Sequence, residues 1–150
     1  MGHTFTNNLY HIVFSTKDRQ TFLLPALQER IYKYICGIIL GKSGTPLCIN
    51  GTEDHVHLLV KIKPDMPVSK LVGEAKGNAS KWISETFSEL RPFSWQAGYS
   101  SFTVSESIRQ KVKDYIENQK GHHKRTSFKE ELAALLQKNK IAFDPEDYLD

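Results

Sequence analysis

Hydrophobic positions along the chain alternate between a period of two and a period near 3.6, and each switch marks an element. Residues 10–16, Tyr10-His11-Ile12-Val13-Phe14-Ser15-Thr16, are β-branched and aromatic and predict a strand closed by Lys17-Asp18-Arg19. The spacing of Leu27, Ile31, Tyr34/Ile35 and Ile38/Ile39 then predicts a helix, with Pro25 in its first turn and Gly41 just past its end. A second strand is expected over residues 45–49. Asn50-Gly51 reads as a turn into a third strand, His55-Val56-His57-Leu58-Leu59-Val60-Lys61-Ile62, making the two strands antiparallel neighbours. Leu71/Val72, Ala75, Ala79, Trp82/Ile83 and Phe87 place a second helix over residues 68–90, and residues 99–104 give a fourth strand. Ser105 is the expected N-cap of a third helix carrying Ile108, Val112, Tyr115/Ile116 and Gln119 and ending near Gly121. Thr126 or Ser127 opens a final amphipathic helix through Phe128, Leu132, Leu135 and Leu136. The order β-α-β-β-α-β followed by two helices closes naturally as a ferredoxin-like α+β fold. Its four-stranded antiparallel sheet carries both crossover helices on one face.

A length of 150 residues, 39% of them hydrophobic and 25% charged, fits one domain over residues 1–150 and excludes both a membrane span and general disorder. The first residues, Met1-Gly2-His3-Thr4-Phe5-Thr6, lack the basic and apolar regions of a secretion signal, so a cytoplasmic protein is expected. They also match the loose myristoylation pattern, which is common by chance. Cys36 and Cys48 lie in apolar stretches and read as buried reduced thiols. The net charge of +3 conceals an asymmetry. From Arg109 to Lys129 seven basic residues face two acids, whereas the last ten residues hold Asp144, Glu146, Asp147 and Asp150 and no base. A basic stretch centred on His122-His123 suits a polyanion, although a solvated helix face has the same composition.

Candidate chemistry begins on the third strand. Alternate residues share a face, so Val56, Leu58, Val60 and Ile62 point one way and His55, His57 and Leu59 the other. If the greasier face meets the helices, two imidazoles one pleat apart project from the opposite face, where they could ligate one cation or be ordinary sheet residues. Asp54 reads as a turn residue, with a carboxylate that could also orient an imidazole. Tyr115 and Gln119, four residues apart, share a helix face. Periodicity alone leaves two readings open: a packed tyrosine and a helix-end glutamine, or a nucleophile and a metal-ligating amide oxygen.

His55-Val56-His57 followed by Tyr115-Ile116-Glu117-Asn118-Gln119 resembles the single-tyrosine HUH transposases, or Y1 transposases, of the IS200/IS605 insertion-sequence family. The resemblance runs over nearly the whole chain. It includes Tyr10-His11-Ile12-Val13-Phe14, residues 51–60, Trp95-Gln96-Ala97-Gly98-Tyr99 and Val104-Ser105-Glu106-Ser107. It implies a metal-dependent enzyme that cleaves and rejoins single-stranded DNA at insertion-sequence ends through a 5′-phosphotyrosine intermediate. Tyr115 is then the nucleophile, His55, His57 and Gln119 the protein ligands, and Mg²⁺ or Mn²⁺ the cofactor. It further implies subterminal DNA hairpins as the partner and a homodimer with composite active sites, in which Gly121 and residues 128–136 act as hinge and dock. No membrane or small-molecule cofactor is called for. His122 and His123, beyond Gly121 in the basic segment, are expected to contact phosphate or solvent rather than complete a zinc site. Lys70, Lys76, Lys81, Lys120, Lys124 and Arg125 are the candidates for DNA backbone contacts. Trp95, Tyr99 and Phe102 could stack on bases, with core packing expected for at least one of them. A domesticated REP-associated tyrosine transposase, a relaxase-like nickase and a non-enzymatic ferredoxin-like RNA-binding module are the alternative readings.

Overall fold

The computed structural model describes residues 2–144 and 146; Asp147 and Asp150 of the acidic C-terminal run, and Met1, lie outside them. The chain runs β1 (Leu9–Ser15), α1 (Pro25–Leu40), β2 (Gly44–Gly51), β3 (His55–Ile62), α2 (Val68–Thr86), β4 (Ser100–Val104), α3 (Arg109–Glu117), α4 (Gln119–His122) and α5 (Phe128–Lys138). The four strands form one antiparallel sheet in the order β2-β3-β1-β4. That is the α+β, ferredoxin-like arrangement expected from the element order.

The alternation of β3 sorts the sheet into two faces. Val56, Leu58, Val60 and Ile62 join Ile12 and Phe14 of β1 beneath α1 and α2, where Ile31, Ile35, Ile39, Leu71, Ala75, Ala79 and Ile83 complete the main core. Each large aliphatic side chain buried there contributes about 1.5–3 kcal/mol. The opposite face holds His11, His55, His57, Leu59 and Phe102, and it is not open. Ile116 of α3 packs on Leu9, Leu59 and Val104, while Phe128, Leu132 and Leu136 of α5 pack on Val13 and Phe102. The last helix therefore covers its own sheet, and both faces of β3 are buried except at Lys61.

Several boundaries differ from expectation for local reasons. Asn50-Gly51 is not the turn: both residues remain paired with β3, opposite His57 and Val56, and the reversal falls at residues 52–54. Asn50 is retained in the strand because its amide Nδ2 donates to the carbonyls of Ile116 and Glu117 at 3.1 and 3.0 Å, tying β2 to the end of α3. The second helix stops at Thr86, since Phe87 is extended, and a 3₁₀ turn at Ser88–Leu90 follows. Ser105 does not cap α3. Its hydroxyl bonds that of Ser107, a 3₁₀ turn intervenes, and Ile108 is exposed rather than part of the buried stripe. The tyrosine helix also breaks at Asn118, placing Gln119 at the start of the short α4. Ser127, not Thr126, caps α5: its hydroxyl accepts from the Glu130 amide and donates to the Glu130 carboxylate. Cys36 and Cys48 are free, but half-buried rather than buried.

Gly51 sits where β2 presses on the start of β3, and a Cβ there would drive into the His55 carbonyl oxygen. Backbone cannot yield as a flexible side chain does, so Gly51→Ala is expected to cost about 1–3 kcal/mol, the range for overpacking. A urea-denaturation midpoint unchanged from wild type would contradict this close approach.

Candidate active site

The sequence brings polar residues onto an otherwise apolar face, and the fold converges them. His55 and His57 project from β3, Tyr115 descends from α3, Gln119 from α4, and Glu131 rises from α5. His55, His57 and Gln119 are fully buried and Glu131 is 2% exposed. The imidazole Nε2 of His55 lies 3.0 Å from Gln119 Oε1. Tyr115 and Gln119 meet the histidines of their own chain, so one polypeptide gathers the whole set.

Glu131 is the group that sequence reasoning missed. Its Oε1 lies 2.9 Å from His57 Nε2, 2.9 Å from His123 Nε2 and 3.3 Å from His55 Nε2. Its Oε2 accepts the Tyr115 hydroxyl and, at 2.8 Å, the Gln119 amide. A carboxylate so deeply buried is costly unless every lone pair is satisfied. Here imidazoles, an amide and a phenol satisfy it. A signal was present: residue 131 falls between Phe128 and Leu135 at the three-to-four spacing of the apolar stripe, where an acid is out of place. His123 likewise belongs to the cluster rather than to solvent or phosphate. His122 is half-buried against the Tyr115 ring, with Nε2 3.6 Å from Glu131 Oε2.

The far ring nitrogens are held from behind. Asp54 Oδ1 bonds His55 Nδ1 at 2.7 Å, so the turn residue is also an orienting carboxylate. His57 Nδ1 pairs with His11 Nε2 at 2.8 Å, and the two rings stack. His11 occupies a β1 position between Leu9 and Val13 on the site face, again a polar residue where an apolar one would pack.

Burial and charge set the protonation states. Burial opposes ionisation of Glu131, but hydrogen bonds from His123, His55 and His57 outweigh it and hold the carboxyl far below its usual range. Burial, then the hydrogen bond to Glu131, pushes the Tyr115 phenol well above its ordinary value, so it is protonated at neutral pH. Burial lowers the His55 imidazole, yet Asp54 and Glu131 raise it overall to about 9. Burial, with the charge of His57 adding to it, lowers His11 to about 3.

Two clefts border the cluster. One of about 450 Å³ is lined by Gln28, Asp54, Lys120, His123, Lys124 and Phe128. The other, about 350 Å³, is lined by His11, Phe102, Val112, Tyr115, Leu135 and Lys138. Among the lysines singled out from sequence, Lys124 borders the first cleft and Arg125 is exposed beside it. Lys120 also borders that cleft while donating to Asn50 Oδ1 at 2.8 Å. Lys70 and Lys81 are exposed on α2, which packs on the opposite face of the sheet. Lys76 is committed to the carbonyls of Gln96 and Gly98 at 2.8 and 2.6 Å. Of the three aromatics, Phe102 is core, Trp95 packs on Phe14 and Phe93, and Tyr99 is exposed.

A ferredoxin-like sheet with a histidine pair and a helix-borne tyrosine on its covered face defines the structural class. The chain belongs to the IS200-like transposase family, whose model matches residues 4–119. It is 32% identical over 125 residues to the transposase for insertion sequence element IS200 of Salmonella typhimurium, covering 79% of this chain and 81% of that one. It is 24% identical over 115 residues to the ISDra2 transposase TnpA of Deinococcus radiodurans, covering 73% and 82%. Two solved structures share the fold. A crystal structure described as a transposase from Deinococcus radiodurans superposes with a TM-score of 0.63 at 24% identity, covering 79% of this chain and 96% of that one. A REP-associated tyrosine transposase bound to a REP hairpin also gives 0.63, at 14% identity, covering 82% and 72%. The His-rich cluster is compatible with a metal ion. Among the described residues no helix is long and apolar enough to cross a membrane.

The opposed histidine shifts give stability a pH optimum in chelator-treated protein. His55 binds its proton more tightly when folded, so its contribution is complete below about pH 6.5 and is lost as pH rises through about 9. His11 is neutral when folded, so its contribution is present above about 6.5 and is lost as pH falls toward 3. Unfolding free energy should peak near pH 6.5 and fall on each side by up to about 1.4 kcal/mol per pH unit for each proton. His11→Gln should make the limb between pH 5 and 6.5 shallower, the buried His57 imidazole, also lowered by burial, keeping the remainder. A stability that climbs steadily from pH 6.5 to 9 would contradict the assignment of His55.

Proposed function

We propose that this transposase cleaves and rejoins single-stranded DNA at the ends of a mobile element, with Tyr115 as the nucleophile. The observation that carries the reading is the convergence of the Tyr115 hydroxyl, two strand-borne imidazoles and the Gln119 amide on one buried locus. The phenol oxygen attacks phosphorus, the bond from phosphorus to the 3′-oxygen breaks, and the DNA 5′-phosphate becomes linked to tyrosine. The proton lost by the phenol is matched by the one gained at the 3′-oxygen. The covalent link conserves the phosphodiester for rejoining by the reverse displacement.

The donor set fits a divalent cation. His55 and His57 turn Nε2 inward because Asp54 and His11 hold their other nitrogens, and Gln119 Oε1 lies beside His55 Nε2. Mg²⁺ or Mn²⁺ held there would neutralise charge developing on the phosphate oxygens. The chain's own groups do the rest: His55, His57 and Gln119 hold, the helix delivers the phenol, and α5 excludes water.

An in-line attack requires the phosphate to lie between the Tyr115 oxygen and the imidazoles, and the Glu131 carboxylate stands in that place. DNA must therefore displace it. Lys124 and Arg125 on the edge of the larger cleft, with Lys120, supply backbone contacts, and hairpin-forming ends are the expected DNA partner. The more distant Lys70, Lys76 and Lys81 would serve only a DNA that wraps to the α2 side. The chain acts as one domain in the cytoplasm. A homodimer would form composite sites if the segment carrying α3 were exchanged between two chains.

Purified protein mixed with Mg²⁺ or Mn²⁺ and labelled single-stranded element ends should give an adduct that survives SDS. Tyr115→Phe should give none, and His55→Ala or His57→Ala should lose cleavage while hairpin binding persists. An adduct formed by Tyr115→Phe would remove the tyrosine from its role.

A further inference from the structure

Beyond the His55, His57 and Gln119 set, the cluster contains a second and different set of donors. One ligand atom from each of His55, His57, His123 and Glu131 lies within 4.8 Å of all the others. Three imidazole nitrogens thus surround one carboxylate oxygen in a site from which solvent is nearly absent. His123 and Glu131 fall beyond residues 4–119, the span of the family match.

We infer that the closed chain binds a first-row transition cation, of which Zn²⁺ is the best fit, through His55, His57, His123 and Glu131, and that this binding holds DNA phosphate out. Three points of chemistry carry the inference. Three neutral imidazoles and one carboxylate are a four-coordinate set characteristic of Zn²⁺ and Co²⁺, whereas Mg²⁺ prefers six oxygen ligands and keeps its waters. The rings of His55 and His57 are already oriented by Asp54 and His11, so little order need be gained when the ion arrives. Finally, Glu131 reaches the site from α5, and the contacts of Phe128, Leu132 and Leu136 with the sheet hold that helix down. On binding, the imidazoles bond through their Nε2 lone pairs and any protons there pass to solvent. The ion then fastens α5 to β3 with Glu131 occupying the phosphate position. A harder ion bound by His55, His57 and Gln119 leaves Glu131 free to withdraw. The existence of this site is independent of the cleavage reaction proposed above; its inhibitory effect rests on that reading.

The test uses the full chain, stripped with chelator and titrated with Co²⁺ as a spectroscopic substitute for Zn²⁺. Wild type should develop the intense visible absorption of a four-coordinate site at one equivalent, and Zn²⁺ should abolish it. Zn²⁺ should also raise the thermal midpoint. Glu131→Gln and His123→Asn, each checked for folding by circular dichroism, should weaken Co²⁺ binding at least roughly tenfold, the lower bound for losing even an outer partner. They should also lose the thermal rise. Gln119→Ala should keep the four-coordinate spectrum. In the Mn²⁺-supported adduct assay, added Zn²⁺ should suppress wild type and leave a folded Glu131→Gln protein less affected. A weak six-coordinate spectrum in wild type, or loss of binding with Gln119→Ala but with neither Glu131→Gln nor His123→Asn, would overturn the inference. The Tyr115 adduct would stand or fall separately. Should Glu131→Gln not fold, His123→Asn decides the same point.

Discussion

A single buried carboxylate organises this molecule. Placing the Glu131 anion against a β-sheet would be prohibitive on its own, and the surrounding architecture can be read as the means of compensating it. Two strand residues, two residues near the short α4 helix and a tyrosine from α3 all converge on its two oxygens. Those contacts tie the tyrosine helix, the following turn and α5 to the central strand. The same contacts keep the phenol protonated and out of reaction. In the proposed reaction, the phenol that would attack the phosphate is thus stored against an internal anion of like charge.

This explains a feature of the fold that the β-α-β-β-α-β order does not demand. A ferredoxin-like sheet is complete once α1 and α2 cover one face. The opposite face could have been left to solvent, as an RNA-binding platform would require. Instead α3 and α5 cover it, and the polar residues of that face are turned inward onto one another. Among the described residues no aromatic platform is left open beside the histidines. The closed face is better suited to a site that must be opened by its substrate than to one that displays bases at a surface.

Much of this was legible in the sequence. Period-two alternation in residues 55–62 assigned the histidines to the face opposite α1 and α2, whereas the four-residue spacing of Tyr115 and Gln119 implied a shared helix face without fixing its side of the sheet, and the helix in fact breaks between them at Asn118. What the sequence could not express was contact between distant elements. Asn50 looks like a turn residue because Asn-Gly usually is one, yet its amide is engaged by the end of α3, an interaction 66 residues away in sequence. Ser105 looks like a cap, but its hydroxyl finds Ser107 first. His11, His123 and Glu131 each read as ordinary when weighed one at a time. Only His11 on a strand buried on both faces and Glu131 on an apolar stripe carried a local sign of tension, and that tension is relieved by partners 46 and 74 residues distant.

The central claim is spatial: the Glu131 carboxylate occupies the position that the scissile phosphate must take. A crystal structure of Tyr115→Phe with a single-stranded element end and Mn²⁺ addresses it directly. The account predicts a phosphate between the residue 115 ring and the His55 and His57 imidazoles, with Glu131 withdrawn from both histidines. A phosphate bound elsewhere while Glu131 keeps its contacts with His57 and His123 would contradict it.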